Sequence, residues 1–95
     1  MEEPMRIIEI DGRQLDSREA LHQLLQDKLQ LGEHYGHNLD ALWDALTGEV
    51  HMPLTIHWSF LDSTREMLGD YADQVINVMR EAQQEIHGFT LELRP

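Results

Sequence analysis

The 95-residue chain contains no cysteine. Disulfides, a thiol nucleophile and thiolate metal sites are thereby excluded, and a reducing, cytoplasmic setting is expected. The N-terminus also lacks the basic-then-apolar pattern of an export signal. No apolar run approaches the roughly 20 residues that a membrane-spanning helix requires, so a soluble protein without a membrane partner is expected. No internal repeat, linker or low-complexity tract is present. At this length one domain over residues 1–95 is expected, with residues 1–4 as a loose tail.

Positive charge is scarce: seven Lys and Arg stand against 18 Asp and Glu, for a formal net charge of −11. Such a field repels phosphate backbones and anionic lipid, so nucleic acid is not an expected partner. The basic residues are Arg6, Arg13, Arg18, Lys28, Arg65, Arg80 and Arg94, which leaves the chain from Leu29 to Thr64 without Lys or Arg. Within that gap lie Glu33, Asp40, Asp44, Glu49 and Asp62, with His34, His37, His51 and His57 as the groups able to become positive near neutral pH. A solvated acidic face that keeps the protein soluble is the plain reading.

Residue periodicity predicts an α/β order. Met5 to Ile10 reads as a strand closed by Asp11-Gly12. Asp16 and Glu19 have capping-box spacing ahead of a helix from about Ser17 to Leu29, with Leu21, Leu24, Leu25 and Leu29 at helical intervals. Asn38 is a good cap for a short second helix carrying Leu39, Leu42, Trp43 and Leu46 and ending before Gly48. After Pro53, Leu54, Ile56 and Trp58 alternate with Thr55 and His57 as in a strand. A short helix over 59–68 stops near Gly69. Tyr71, Val75, Val78, Met79, Ala82 and Ile86 then form one stripe of a longer helix, with Gly88 placed to end it. Phe89, Leu91 and Leu93 make a third strand. The order βααβααβ implies a two-layer domain with a three-stranded parallel sheet and helices on one side. The alternation in the last two strands implies that only one sheet face is covered.

The second helix carries the chemistry. At about 100° per residue its leucines and Trp43 share one stripe, whereas Asp40 and Asp44 lie together on the flank facing water. Like charges four apart destabilise an isolated helix by a few tenths of a kcal/mol, and no Lys or Arg on the helix offsets them. Asp40 gains from the helix dipole, but Asp44 is too far along to gain much. Ala41 and Ala45 read as the remaining exposed positions, small enough to let another surface approach. Unneutralised acids beside bare alanines suggest that an absent partner supplies the positive charge.

The run from His34 through Tyr35-Gly36-His37-Asn38-Leu39-Asp40-Ala41-Leu42-Trp43-Asp44 to Gly48 resembles the signature segment of the barstar family, intracellular inhibitors of the ribonuclease barnase. The likeness extends to Leu21-His22-Gln23, to Pro53-Leu54 and Trp58, and to Arg80-Glu81-Ala82, and covers nearly the whole chain after residue 5. It implies a three-stranded parallel sheet with helices on one side. It further implies a non-catalytic protein, a monomer when free, that binds a basic, barnase-like, guanyl-preferring ribonuclease in a 1:1 complex without a cofactor. In that family the second helix and the loop before it plug the enzyme's active site, and a carboxylate takes the place of a phosphate. The resemblance gives that role to Asp44, places Asp40 and Glu81 as further acidic contacts, and assigns Thr47 and Gly48 to the helix end. His34 stands where the family's inhibitor carries a Tyr that packs on the enzyme, and Glu49 where it carries a Trp. Both changes imply an interface that leans more on charge and less on apolar area. Ala45 replaces a Cys, which should not affect binding.

Other chemistries fit less well. A glycosidase needs carboxylates that flank a bond across a cleft, which two neighbours on one convex helix face cannot do. His34, His37, Asp40 and Asp44 could in principle contribute to a divalent metal site, but with no Cys none is expected. His51 and His57 read as ordinary loop and strand residues, and Trp43 and Trp58 as core or half-buried packing. No nucleophile elbow or glycine-rich phosphate loop is present, so catalysis is not expected. The runner-up function is an acidic adaptor on the same scaffold that binds some other basic protein.

Overall fold

The computed structural model describes residues 6–95. Met5, expected to open the first strand, and the expected tail at 1–4 lie outside the described residues. The elements are β1 (Arg6–Asp11), a 3₁₀ turn (Gly12–Gln14), α1 (Arg18–Leu29), α2 (Leu39–Asp44), a π-helical turn (Ala45–Glu49), β2 (Leu54–Ser59), α3 (Leu61–Leu68), α4 (Asp70–Glu85) and β3 (Phe89–Leu93). The three strands form one parallel sheet in the order β1-β2-β3, with Ile8 opposite Ile56 and Ile56 opposite Leu91. The α/β class, the βααβααβ order and the parallel sheet expected from the sequence are all present.

Period-two patterning explains how the sheet is used. Ile8 and Ile10, then Leu54, Ile56 and Trp58, then Phe89 point to the helices and are buried. They join Leu21, Leu25 and Leu29 of α1, Leu42 of α2, Leu46 of the π turn and Val75, Met79 and Ala82 of α4 in one core. The other sheet face is more exposed: Ile7 is 56% exposed, and Glu9, Thr90 and Glu92 are exposed as well, although Thr55 of the central strand, between Ile7 and Thr90, is buried. On that face His57 pairs with its cross-strand neighbour Glu92 at 2.6 Å. At the outer edge of β3, the side-chain oxygen of Gln83 accepts a hydrogen bond from the Leu91 backbone N–H at 2.6 Å.

Local signals decide the helix ends. Ser17, not Asp16, caps α1, because its hydroxyl accepts from the Ala20 N–H at 3.0 Å. Glu19 is thereby free for another use. Asn38 caps α2 as expected, accepting from the Ala41 N–H at 2.7 Å. The helix does not stop before Gly48, however; it widens into the π turn, whose last residue is Glu49. Gly69, at φ +58, separates α3 from α4 in a conformation that favours glycine. α4 ends at Glu85, before Gly88, which turns the chain into β3 at φ +94.

The join between β1 and α3 is equally specific. Buried Thr64 donates to the Gly12 carbonyl at 3.1 Å and accepts from the Trp58 indole N–H at 3.2 Å. Trp58 is fully buried and Trp43 half-buried against the core, as expected for packing residues.

Candidate functional site

α2 is short, so its orientation depends on what lies behind it. Leu42 of the helix and Leu46 of the π turn sink into the core, and both elements pack against α4. Asp40 and Asp44 project on the opposite side and are exposed. Neither carboxylate forms an ion pair or hydrogen bond among the described residues. Ala45 does not share that exposed face. It is 1% exposed, in a π turn that packs beside α4, and Ala41 is only half-exposed. The expectation of two bare alanines next to the acids is therefore corrected: the acids stand beside a mostly covered flank.

The remaining expected contact residues divide into two groups. His34 and Glu49 come together, imidazole Nε2 to carboxylate at 3.4 Å, so the loop before α2 and the end of the π turn meet on the surface. The His34 ring lies back over Gly32, where a Cβ would come within 2.6 Å of Nδ1. Thr47 is half-buried and its hydroxyl donates to the Trp43 carbonyl at 2.7 Å, which secures the turn. Gly48 is exposed and open, with nothing within 4 Å of a built Cβ. Glu81 lies apart from these in sequence, exposed on α4, the helix against which α2 packs, and without a side-chain partner among the described residues.

Behind this surface is a buried polar cluster. His22, 1% exposed on α1, has its Nδ1 at 2.8 Å from the Tyr35 hydroxyl and its Nε2 at 2.6 Å from the Tyr71 hydroxyl. A neutral imidazole satisfies both tyrosines, with one nitrogen donating and the other accepting. Burial holds its pKa below the ordinary histidine value, and neighbouring His37 adds to the effect. Burial also pushes the Tyr35 and Tyr71 hydroxyls up, the latter against the opposing pull of Arg18, whose guanidinium lies 4.3 Å above the Tyr71 ring. The one imidazole thus links α1, the loop and α4. A groove of about 460 Å³ runs beside the cluster from Arg18 and Glu19 to Asp40.

Two exposed acids on a capped helix, unpaired among the described residues, thus stand on one surface with the ends of the preceding loop and the π turn brought together by His34 and Glu49. Among the described residues no group of three or more His, Asp or Glu side chains is placed to hold a metal ion, and no helix is long and apolar enough to cross a membrane. The family model described as Barstar (barnase inhibitor) matches residues 5–94. The chain belongs to the barstar family. It is also similar to a protein of Bacillus subtilis (strain 168) named "Putative ribonuclease inhibitor YrdF", at 50% identity over 82 residues, which is 86% of this chain and 90% of the relative.

The sequence pattern marks the acids of α2 but not the polar cluster that joins α1, the preceding loop and α4. The missed residues are His22, Tyr35 and Tyr71, together with His37 of the loop and Gln26 of α1, whose side chains meet at 2.6 Å. One signal was available: His22 shares the stripe of Leu21, Leu25 and Leu29, and a polar ring at a core position needs partners. Which partners it finds, 13 and 49 residues away, is not written locally.

Proposed function

We propose that this barstar-family protein is a non-catalytic inhibitor of a basic, barnase-like, guanyl-preferring ribonuclease, acting in the cytoplasm as a 1:1 complex. Asp44 replaces the substrate phosphate in the enzyme's cationic pocket, with Asp40 and Glu81 as flanking acidic contacts. His34, Thr47, Gly48 and Glu49 complete the rim. The observation that carries this reading is Asp44: an unpaired carboxylate on a helix fixed by an Asn38 cap and by core leucines. A rigid acid that makes no internal bond has its hydrogen-bonding capacity free for a guanidinium or ammonium group. The net charge of −11 adds steering towards a basic surface and so fast association. The membership of the barstar family and the name of the Bacillus subtilis relative point the same way.

The test is an RNA-cleavage assay in which the protein is titrated against a panel of guanyl-preferring ribonucleases. At least one enzyme should be inhibited stoichiometrically. Asp44→Ala should weaken that inhibition by about 2 kcal/mol or more, roughly thirty-fold, and by more than Asp40→Ala or Glu81→Ala. Undiminished inhibition by Asp44→Ala refutes the phosphate substitution. Binding of basic proteins without any effect on RNA cleavage would instead identify an adaptor.

A further inference from the structure

The loop that leads into α2 is held from behind by α1. Gln26 reaches both ends of it: its side-chain nitrogen donates to the Gly32 carbonyl at 2.8 Å, and its side-chain oxygen lies 2.6 Å from His37 Nε2. Two turns earlier on the same face, a Glu19 carboxylate oxygen lies 3.0 Å from His37 Nδ1. The hydrogens in this arrangement follow from what each atom can do. A carbonyl oxygen only accepts, so the Gln26 nitrogen must face Gly32 and its oxygen must face His37; Nε2 therefore donates. A carboxylate also only accepts, so Nδ1 donates as well. The clasp closes around an imidazolium, and loss of its proton removes one of the two bonds.

His37 is an informative place for such a clasp. It has φ +50, a left-handed conformation, and immediately precedes the Asn38 cap of the helix that carries Asp40 and Asp44. Such backbone persists where the surroundings over-determine it. The titratable and charged groups around the ring are Glu19, His22 and Arg18 of α1, Tyr35 of the loop, Asp40 of α2 and Tyr71 of α4.

We infer that Glu19 and Gln26, which carry no assigned contact with a partner, are positioning residues for the acidic helix, acting through doubly protonated His37 on the entry to α2. The inference rests on the inhibitor reading for its effect on binding, but not for its effect on the loop. As the ring loses a proton the loop gains freedom, and the fraction of molecules competent to bind falls.

Two measurements on the full chain test this. By ¹⁵N NMR of the free protein, the backbone amides of the 32–37 loop should shift with the same pH midpoint as the His37 ring nitrogens. In Glu19→Gln they should stop following the ring, because a carboxamide can either donate to Nδ1 or accept from it and so closes the clasp on a neutral imidazole. Loop amides indifferent to the ring proton overturn the inference, whether or not a ribonuclease is ever found. With an inhibited ribonuclease in hand, wild-type affinity should fall roughly three- to ten-fold as pH rises through the midpoint that NMR finds for the His37 ring, the span of one lost hydrogen bond. Glu19→Gln should show a flatter profile against the same enzyme, whose own titrations are common to both. Asp44→Ala should weaken binding at every pH while keeping the wild-type slope. Parallel profiles for wild type and Glu19→Gln refute the positioning role, whereas an unaffected Asp44→Ala refutes the phosphate substitution by Asp44 instead.

Discussion

His22→Phe isolates the buried cluster from the exposed acids of α2. Phenylalanine keeps an aromatic ring in the site but has no nitrogen, so it orphans the hydroxyls of Tyr35 and Tyr71, now bonded at 2.8 and 2.6 Å. Both tyrosines are 8% exposed, which leaves little access for replacement by water. A buried polar group without its partner costs about 1–3 kcal/mol, and the slightly larger ring adds a small packing penalty. The gain in apolar burial and the relief of imidazole desolvation offset part of this, for a net loss of ~3 kcal/mol. Against a total of roughly 5–15 kcal/mol for a small domain, that is a large fraction. In urea denaturation it should lower the midpoint by on the order of 1–2 M with little change in slope. The triple variant His22→Phe/Tyr35→Phe/Tyr71→Phe removes every orphaned group and should recover most of the loss, since replacing both sides of a hydrogen bond by apolar groups is close to neutral. A single variant within about 0.5 kcal/mol of wild type, or a triple variant without recovery, would refute the account of the cluster as a buried, mutually satisfied network.

Other expectations follow from the same structure. The pKa of His22 is depressed in the folded state, so its contribution is fully present above the unfolded value of about 6.5 and is lost as pH falls from there through the lower folded value; denaturation midpoints across that window should drop in wild type and drop less in His22→Phe. Asp44→Ala should leave thermal stability unchanged or raise it by a few tenths of a kcal/mol, because it relieves repulsion from Asp40 and improves helix propensity. A clear loss of stability in that variant would mean that Asp44 has an internal role. Gly12→Ala should destabilise the fold by ~3 kcal/mol, since the added methyl would overlap the Phe60 carbonyl oxygen and the Thr64 hydroxyl; calorimetry showing a near-wild-type melting temperature would contradict that packing.

Much of the fold could be read from local pattern. The alternation around Ile56 and in β3, the stripe of α4 and the Asn38 cap each encode their element within a few residues. Where neighbouring residues competed for one role, pattern was insufficient: Asp16 and Ser17 both suit a helix cap, and only the chain path selects Ser17. Ala45 is misplaced by pattern alone because helical spacing puts it on a flank whose exposure depends on what packs beside it, and here that flank is buried. The acids of α2 were legible since helical spacing fixes them relative to one another. The pairing of His34 with Glu49, and the His22 cluster, depend on loop closure over 13 or more residues, which no short-range pattern specifies.

The side chain of Gln83 has a consequence for how the molecule behaves in a crowd. By holding the Leu91 amide at the outer margin of the sheet, it occupies the position that a carbonyl from an incoming strand would need. Extension of the sheet by a second copy at that margin must first displace an intramolecular bond, a built-in deterrent to polymerisation in a protein whose outward sheet face already leaves Ile7 bare.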